Sequence, residues 1–595
     1  MKNFSTLTNL IDFIGNNYNN PKAFNFYQNQ QWTNISTADF VQNVQSLTLG
    51  FSNLGIQKND GFAILAKPSP IWLMIDSAVI ALGAISVPIF PDIAPQNLLF
   101  EIENANIKFV FCDCLENLQI LQNCTQNDKI RFKKIIIYGF DFEGENIIHF
   151  DDLLKIGNEL AQKNPQLFSD LTNKINEQDL ATIIYTSGST GVPKGVELTH
   201  KNLIAQIHST TKCFPLDAKV DIALSCLPLA HIFERMVIYF YVSRGISIYF
   251  ADDVKNVGSL LKEIKPTLIT VVPRLLEKVL AKMQSGVNEA KFLKKLIGKL
   301  AFYLAVKCFC QKQSGIFYKL FNQLVYKKLR TAMGGNLRMI ICGGAPLSLD
   351  IEKFFCGIGI NLYVGYGTTE SAPVIAVNYK DNQKIGTVGK AFPDVQTKIN
   401  NEGELLAKGD NIMRGYHKSP EKTKEVIDEN GWLKTGDLAT INSEGFIKII
   451  GRKKEMFKTA GGKYVSPVPI EQKLMAGWSL LAAACVIAEG KKFVSCLLFP
   501  DFEILTKYKE RVGKDGDLKN LSDEDFLASD FIKTRTQKLI TQINQSLNHW
   551  EQIQKFYIAT KPISIKTGEL TPSMKLRRNF VEEEFKEVIE GFYLE

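Results

Sequence analysis

A run of eleven residues, Tyr185-Thr186-Ser187-Gly188-Ser189-Thr190-Gly191-Val192-Pro193-Lys194-Gly195, concentrates four aliphatic hydroxyls, two early glycines and a lysine. Glycine reaches backbone conformations closed to other residues, so consecutive N–H groups here can converge on one anion. The hydroxyls and the Lys194 ammonium surround that anion with further donors, which is the chemistry of a phosphate cradle. It is not a Walker A loop, because none of the five Gly-Lys pairs, at 298, 389, 462, 490 and 513, has a glycine five positions before its own. A plain Ser/Gly surface loop is the bland alternative. The apolar strand that leads in and the Lys-Gly ending are more than such a loop needs.

A second group of residues falls where strands end. Ile341-Cys342-Gly343-Gly344-Ala345-Pro346 turns sharply after one apolar run, and Tyr363-Val364-Gly365-Tyr366-Gly367-Thr368-Thr369-Glu370 closes the next. Adjacent strand ends opening on one crevice form a usual ligand site in α/β sheets, and an aromatic there can stack on a base. Glu370 offers the hard oxygen that magnesium prefers. In Gly431-Trp432-Leu433-Lys434-Thr435-Gly436-Asp437 one acid stands at a strand start, where an ionised carboxylate can accept hydrogen bonds from two ribose hydroxyls. Taken alone, Gly451-Arg452-Lys453-Lys454-Glu455 is a solvated basic turn, and Lys575 is a lysine in a basic tail.

These residues need strands to carry them. Between about 60 and 450, β-branched runs alternate with helical patterns: 61–65, 108–111, 134–138, 181–185, 247–250, 268–272 and 339–342. The alternation predicts wound α/β sheets. Past Gly403 the pattern changes to strands joined by tight turns, with Asn442-Ser443-Glu444-Gly445 as a hairpin turn. After Arg452 a smaller mixed unit follows, with a helix near 534–548, so we place a boundary at 451, giving domains 1–451 and 452–595. The stretch 71–90 is apolar enough to suggest a membrane span, but Asp76, Gly83 and Pro88 favour a buried helix running into a strand.

Composition narrows the function classes. The 595 residues are 45% apolar and 22% charged, a globular balance that excludes a disordered chain or a small disulfide-stapled module. Eleven scattered cysteines form no CxxC pair and the six histidines have no i, i+4 spacing, so zinc is not expected and a reducing compartment is. Asp12 and several asparagines interrupt the N-terminal stretch, which leaves no secretory h-region and predicts a cytoplasmic location.

The phosphate-cradle segment resembles the signature of the adenylate-forming enzymes, which include acyl-CoA synthetases, peptide-synthetase adenylation domains and firefly-type luciferases. The other motifs follow in that family's order, and 430–458 is similar to the signature of fatty acyl-CoA synthetases. The resemblance implies a large N-terminal domain of wound α/β sheets with a distorted β-barrel subdomain, followed by a small mobile α+β C-terminal domain. It implies a long-chain fatty acid:CoA ligase that uses ATP, Mg²⁺ and coenzyme A. On this basis residues 186–191 and Lys194 hold the ATP phosphates, Gly344, Ala345 and Pro346 border the adenine, and Tyr366 stacks on it beside Gly367, Thr368 and Thr369. Glu370, helped by Thr186, holds Mg²⁺; Asp437 binds the ribose and Arg452 contacts the nucleotide. Lys454 is the hinge about which the small domain turns. Gly461 and Gly462 lie against pantetheine. Lys575 neutralises charge as carboxylate and α-phosphate meet, a role that supplies about 3 kcal/mol or more. The sequence departs from relatives at Gly451, often Asp, and at Met574, often Gly.

The segment Leu227-Pro228-Leu229-Ala230-His231-Ile232-Phe233-Glu234-Arg235 resembles the family's acyl-pocket wall, with His231 and Phe233 as gate residues, although His231 also reads as a hydrogen-bonded core histidine. The run 236–241 that follows suits either a hydrocarbon tunnel or a core helix. Residues 285–330 look like the insertion of long-chain members. Within 281–330 there are eleven Lys or Arg and one acid, Glu289. Leu293, Leu296, Ile297, Leu300 and Leu304 follow helical spacing while Lys291, Lys295 and Lys299 recur on another face. Such a helix could rest on anionic lipid, gaining about 1 kcal/mol per basic residue, or it is a solvated excursion. The cluster carries no nucleic-acid-binding motif, and no pattern specifies an oligomer. Two rival functions remain: an acyl-AMP ligase serving a carrier protein, which CoA-dependent release distinguishes, and a silent lipid-binding scaffold. Lys194, Glu370, Asp437 and Lys575 oppose the scaffold.

Overall fold

A computed structural model describes residues 4–28, 31–91, 93–125, 131–186, 192–310, 313–512, 518–564, 567–570 and 576–594. The chain divides into two units, the first built from 1–400, 405–435 and 441–448, the second from 401–404, 436–440 and 449–595.

The first unit holds two large sheets. One runs, in spatial order, Lys390–Ala391, Val374–Val377, Asn361–Gly367, Met339–Cys342, Leu268–Val271, Ile222–Ser225, Ser247–Phe250, Phe24–Gln28 and Gln31–Ile35. Its interior pairings are parallel and its edges antiparallel. The other runs Gly415–Tyr416, Lys194–Thr199, Leu180–Thr186, Ile85–Pro88, Gly61–Leu65, Ile107–Cys112, Lys134–Ile137 and Ile147–His149. Gly61–Leu65 is buried throughout, as a parallel strand covered on both faces must be.

The stretch that raised the question of a membrane span is a helix, Pro70–Ala81, in which every residue is buried, followed by the strand Ile85–Pro88. Ser69 caps it by accepting from the Trp72 N–H, and Pro70 fits the first turn because its missing N–H would have had no partner. Among the described residues no helix is long and apolar enough to cross a membrane. Asp76 on this helix meets Arg235 on the helix Ile232–Ser243, both side chains fully buried. Thr182 accepts from the guanidinium at 2.8 Å, Tyr239 at 2.9 Å, and Ser86 donates to Asp76 at 2.6 Å. The pair is tolerable in the interior only because this network satisfies it.

The second unit is α+β. Leu481–Ile487 and Val494–Pro500 pair antiparallel, and Ile553–Ile558 joins the latter in parallel. The helices Pro467–Gly477 and Asp530–Asn544 cover this sheet through a core that includes Leu474, Trp478, Phe526 and Ile540.

Candidate active site

The strands on either side of the phosphate-cradle segment pair antiparallel, with Thr186 opposite Lys194, and the Thr186 hydroxyl donates to the Lys194 carbonyl at 3.5 Å. The strand ends therefore set the two side chains at the mouth of the segment; Ser187, Gly188, Ser189, Thr190 and Gly191 lie outside the described residues. Lys194 places its ammonium 4.9 Å from the ring centroid of Tyr416. Tyr416 comes from the short strand Gly415–Tyr416, which pairs with Lys194–Thr199, and its hydroxyl donates to Glu370 Oε1 at 2.8 Å. One side chain thus bridges the lysine of the first motif and the acid of the third. Burial, reinforced by the Glu370 charge, holds the Tyr416 phenol far above its ordinary range, so it remains a neutral donor.

The backbone around Glu370 is fixed from several sides. Gly367 must be glycine, because a Cβ there would lie 1.7 Å from the Pro373 carbonyl oxygen. The 3₁₀ turn Thr369–Ser371 follows, capped at Thr368, whose N–H donates to the Ser371 hydroxyl at 3.1 Å. The buried amides of Gln206 and Asn411 both donate to the carbonyls of Ser371 and Val374. The Met413 N–H donates to the Glu370 carbonyl at 2.9 Å. Beneath this, Glu197 joins Arg414 at 2.7 Å and His417 at 2.6 Å. Burial works against the Glu197 charge, but the hydrogen bonds from His417 and Arg414 outweigh it and hold its carboxyl below the usual range. Sequence reasoning passed over Tyr416, Glu197, Arg414 and His417. Their only local signal is a Gly-Tyr-His run ahead of the Pro420 helix.

Met339–Cys342 and Asn361–Gly367 are parallel neighbours, so Gly344 and Tyr366 leave adjacent strand ends, as the topology of a crevice requires. Gly344 has φ +80°, the left-handed region in which glycine is unstrained, and Ala345 and Pro346 are exposed beside it. A Cβ on Gly343 would sit 3.0 Å from Phe233 Cζ, so that ring packs against the same turn. His231 caps the helix Ile232–Ser243, its Nδ1 accepting from the Phe233 N–H at 3.2 Å. The run 236–241 is buried throughout, and Tyr241 pairs with Thr270 at 3.1 Å, so its side chains belong to the core. Glu234 is buried as well; burial raises its carboxyl to about 8 although Ser225 donates to it at 2.6 Å.

In the second unit Asp437 and Arg452 meet at 3.3 Å, Asp437 nearly buried and Arg452 mostly exposed. Lys454 is in the 3₁₀ turn Lys453–Glu455. Gly461 and Gly462 are exposed at the tip between Phe457–Lys458 and Tyr464–Val465, where the Gly462 N–H donates to the Thr459 carbonyl at 2.8 Å. Lys575 lies outside the described residues. On either side of it Leu570 bridges Leu576, and the Arg577 N–H donates to the Glu569 carbonyl at 2.7 Å.

Among the described residues no cluster of three or more His, Cys, Asp or Glu forms a cage for a metal ion. The donor set fits magnesium held in the way that ion usually is, by one carboxylate and substrate phosphates, with Glu370 as the carboxylate and Thr186 at the phosphate side.

Residues 15–417 match the AMP-binding enzyme family and 455–595 the AMP-binding enzyme C-terminal domain. The long-chain-fatty-acid–CoA ligase FadD15 of Mycobacterium bovis is 33% identical over 94% of this chain and 92% of that protein. Long-chain-fatty-acid–CoA ligase 5 of Rattus norvegicus is 31% identical over 89% of this chain and 79% of its own length. In fold, the adenylation domain of a carboxylate reductase from Mycobacterium chelonae superposes with a TM-score of 0.75 at 19% identity, covering 99% of this chain and 91% of that one. With its N-terminal and C-terminal regions both matched, the chain belongs to the AMP-binding, adenylate-forming enzyme family, among relatives named long-chain-fatty-acid–CoA ligases.

Proposed function

We propose that this protein is an ATP-dependent long-chain fatty acid–CoA ligase. The observation that carries the reading is the Lys194–Tyr416–Glu370 arrangement at the mouth of the phosphate-cradle segment. A cation, a neutral donor and a carboxylate stand together there, which suits a triphosphate accompanied by a divalent ion. In the first half-reaction the fatty carboxylate attacks the ATP α-phosphorus, forming acyl-AMP and releasing pyrophosphate. Glu370 and Thr186 would hold magnesium, which would neutralise phosphate charge and favour departure of pyrophosphate. Tyr366 stacks on the adenine between Gly344–Pro346 and Thr368, and Asp437 with Arg452 takes the ribose side. Lys575 brings a second cation to the meeting carboxylate and α-phosphate, two anions that otherwise repel. The C-terminal unit then turns about Lys454, Gly461 and Gly462 receive pantetheine, and the CoA thiol attacks the mixed anhydride to release AMP. His231 and Phe233 stand at the acyl side. The enzyme works in the cytoplasm, with the basic segment 285–330 drawing it to the membrane that holds its insoluble substrate.

ATP–pyrophosphate exchange with acids from acetate to arachidate, with and without CoA, tests this. Exchange that peaks with long acids and CoA-dependent release of acyl-CoA are expected, and Lys575→Ala lowers the rate about 10²-fold or more. Acyl-AMP that CoA does not discharge would reassign the protein to carrier loading, and no exchange with any acid would refute the activity.

A further inference from the structure

On the first helix of the insertion the buried residues are small ones. On the helix Phe292–Leu304, Gly298 and Ala301 are buried, as is Ala305 one turn on. A Cβ on Gly298 would lie 2.5 Å from Val287 Cγ1, and one on Gly357 would lie 2.1 Å from the Ala305 carbonyl oxygen. Tyr326 donates to the Ala301 carbonyl at 2.8 Å from the same inner side. At 3.6 residues per turn, Phe292, Leu296 and Tyr303 lie on the opposite face. They are exposed, Phe292 to 80%, and on the next helix, Ile316–Phe321, Ile316 is exposed to 84% and Phe317 to 71%. Ten of the 22 exposed large apolar side chains among the described residues fall between Phe292 and Leu324. That concentration is far from the scattered exposure usual on soluble proteins.

Charge identifies what covers this face. From Ala290 to Leu349 the sequence has no acid, while Lys291, Lys294, Lys299, Lys307 and Lys319 are exposed around the apolar residues. A second copy would set lysines against lysines. We propose that these two helices insert their apolar side chains at the acyl boundary of an anionic lipid surface, with the lysines at its phosphates. This rests on the reading of the segment as membrane-seeking and deepens it: attachment is hydrophobic as well as electrostatic.

Co-sedimentation with phosphatidylcholine vesicles, with and without phosphatidylglycerol, tests the proposal in the absence of ATP, acid or CoA. Its outcome is therefore independent of whether the protein is a ligase. Wild-type protein is expected on the anionic vesicles, with residual binding in high salt, because insertion is not screened. Leu296→Ser with Phe317→Ser, both at exposed sites, lowers partitioning about 100-fold, burial of each side chain being worth about tenfold or more. Lys294→Glu with Lys299→Glu lowers it about tenfold or more on anionic vesicles alone. Thermal melting confirms that each variant is folded. Absence of vesicle binding, or a serine variant that sediments like wild type, overturns the proposal. So does light scattering that finds a dimer which the serine variant dissolves, since the face would then be an interface between copies.

Discussion

Replacing Tyr416 by Phe isolates the contact on which the site reading depends. The ring that sits 4.9 Å from the Lys194 ammonium is kept, and only the hydroxyl that donates to Glu370 at 2.8 Å is removed. A hydrogen bond to a charged acceptor contributes about 1.5–3 kcal/mol. Much of that appears as lost positioning of the carboxylate, so the pyrophosphate-exchange rate at low ATP is expected to fall about 10- to 100-fold. The loss belongs in the Mg²⁺ and ATP dependence and not in the KM for the acid, because the hydroxyl is hydrogen-bonded to Glu370. Tyr416→Leu, which also removes the ring beneath Lys194, adds a further loss of about two- to fivefold, the size of an exposed cation–π contact. In a double-mutant cycle Tyr416→Phe costs little once Glu370 is Gln, since the two residues act as a unit. Equal exchange kinetics in wild type and Tyr416→Phe, or full additivity with Glu370→Gln, would refute the argument that Tyr416 holds the carboxylate.

Two further expectations concern the scaffold. Arg235→Met strands the Asp76 carboxylate, fully buried in the wild type, and lowers folding stability by about 3–5 kcal/mol in urea unfolding. The double variant Asp76→Leu/Arg235→Met recovers most of this, and a double variant as unstable as the single would sink the account. His200 is buried with Nδ1 accepting from the Leu7 N–H at 3.1 Å, and burial lowers its pKa from 6.5 to about 4. The unfolded chain therefore takes up a proton near 6.5 that the folded chain refuses until about 4. Taken alone, this group lowers stability by about 3 kcal/mol as pH drops through that window, while Glu101, Glu234 and Glu352, whose carboxyls burial raises, contribute in the opposite sense. The difference in stability between wild type and His200→Gln should change by that amount between pH 6.5 and 4; parallel pH profiles of urea unfolding would exclude His200 as its source.

The strands were legible because parallel strands covered on both faces are written as unbroken apolar runs: Ile107–Cys112 and Leu180–Thr186 each extend the expected run by only a residue at either end. The turns after Cys342 and Gly367 were legible because their glycines are required sterically. Tyr416 was not legible. It stands 46 residues from Glu370 in a two-residue strand, and nothing local distinguishes a tyrosine that reaches a carboxylate from one that packs on it. Gln206 and Asn411 were hidden for the same reason: their role is to donate to carbonyls at 371 and 374, and such pairing leaves no periodic trace. In the run 236–241 the opposite happened, since tunnel and core demand the same apolar side chains, and only burial separates them.

The insertion exposes a related limit. Its leucines repeat at helical spacing, and that spacing would be identical if the stripe faced inward. Direction is decided by the positions between them. Val287 leaves no room for a methyl group on Gly298, and the Ala305 carbonyl leaves none on Gly357, so the helix lies close against its neighbours at these two points. Turning the helix by half a revolution to hide Phe292, Leu296 and Tyr303 would drive an aromatic ring into a space that excludes a single Cβ. Interiors packed at crystal-like density do not absorb such a change. The outward apolar face is therefore fixed by the fit of the inward one and is not a by-product of loose packing. Each of the large side chains left outside would gain about 1.5–3 kcal/mol on burial, which is what a lipid surface offers them.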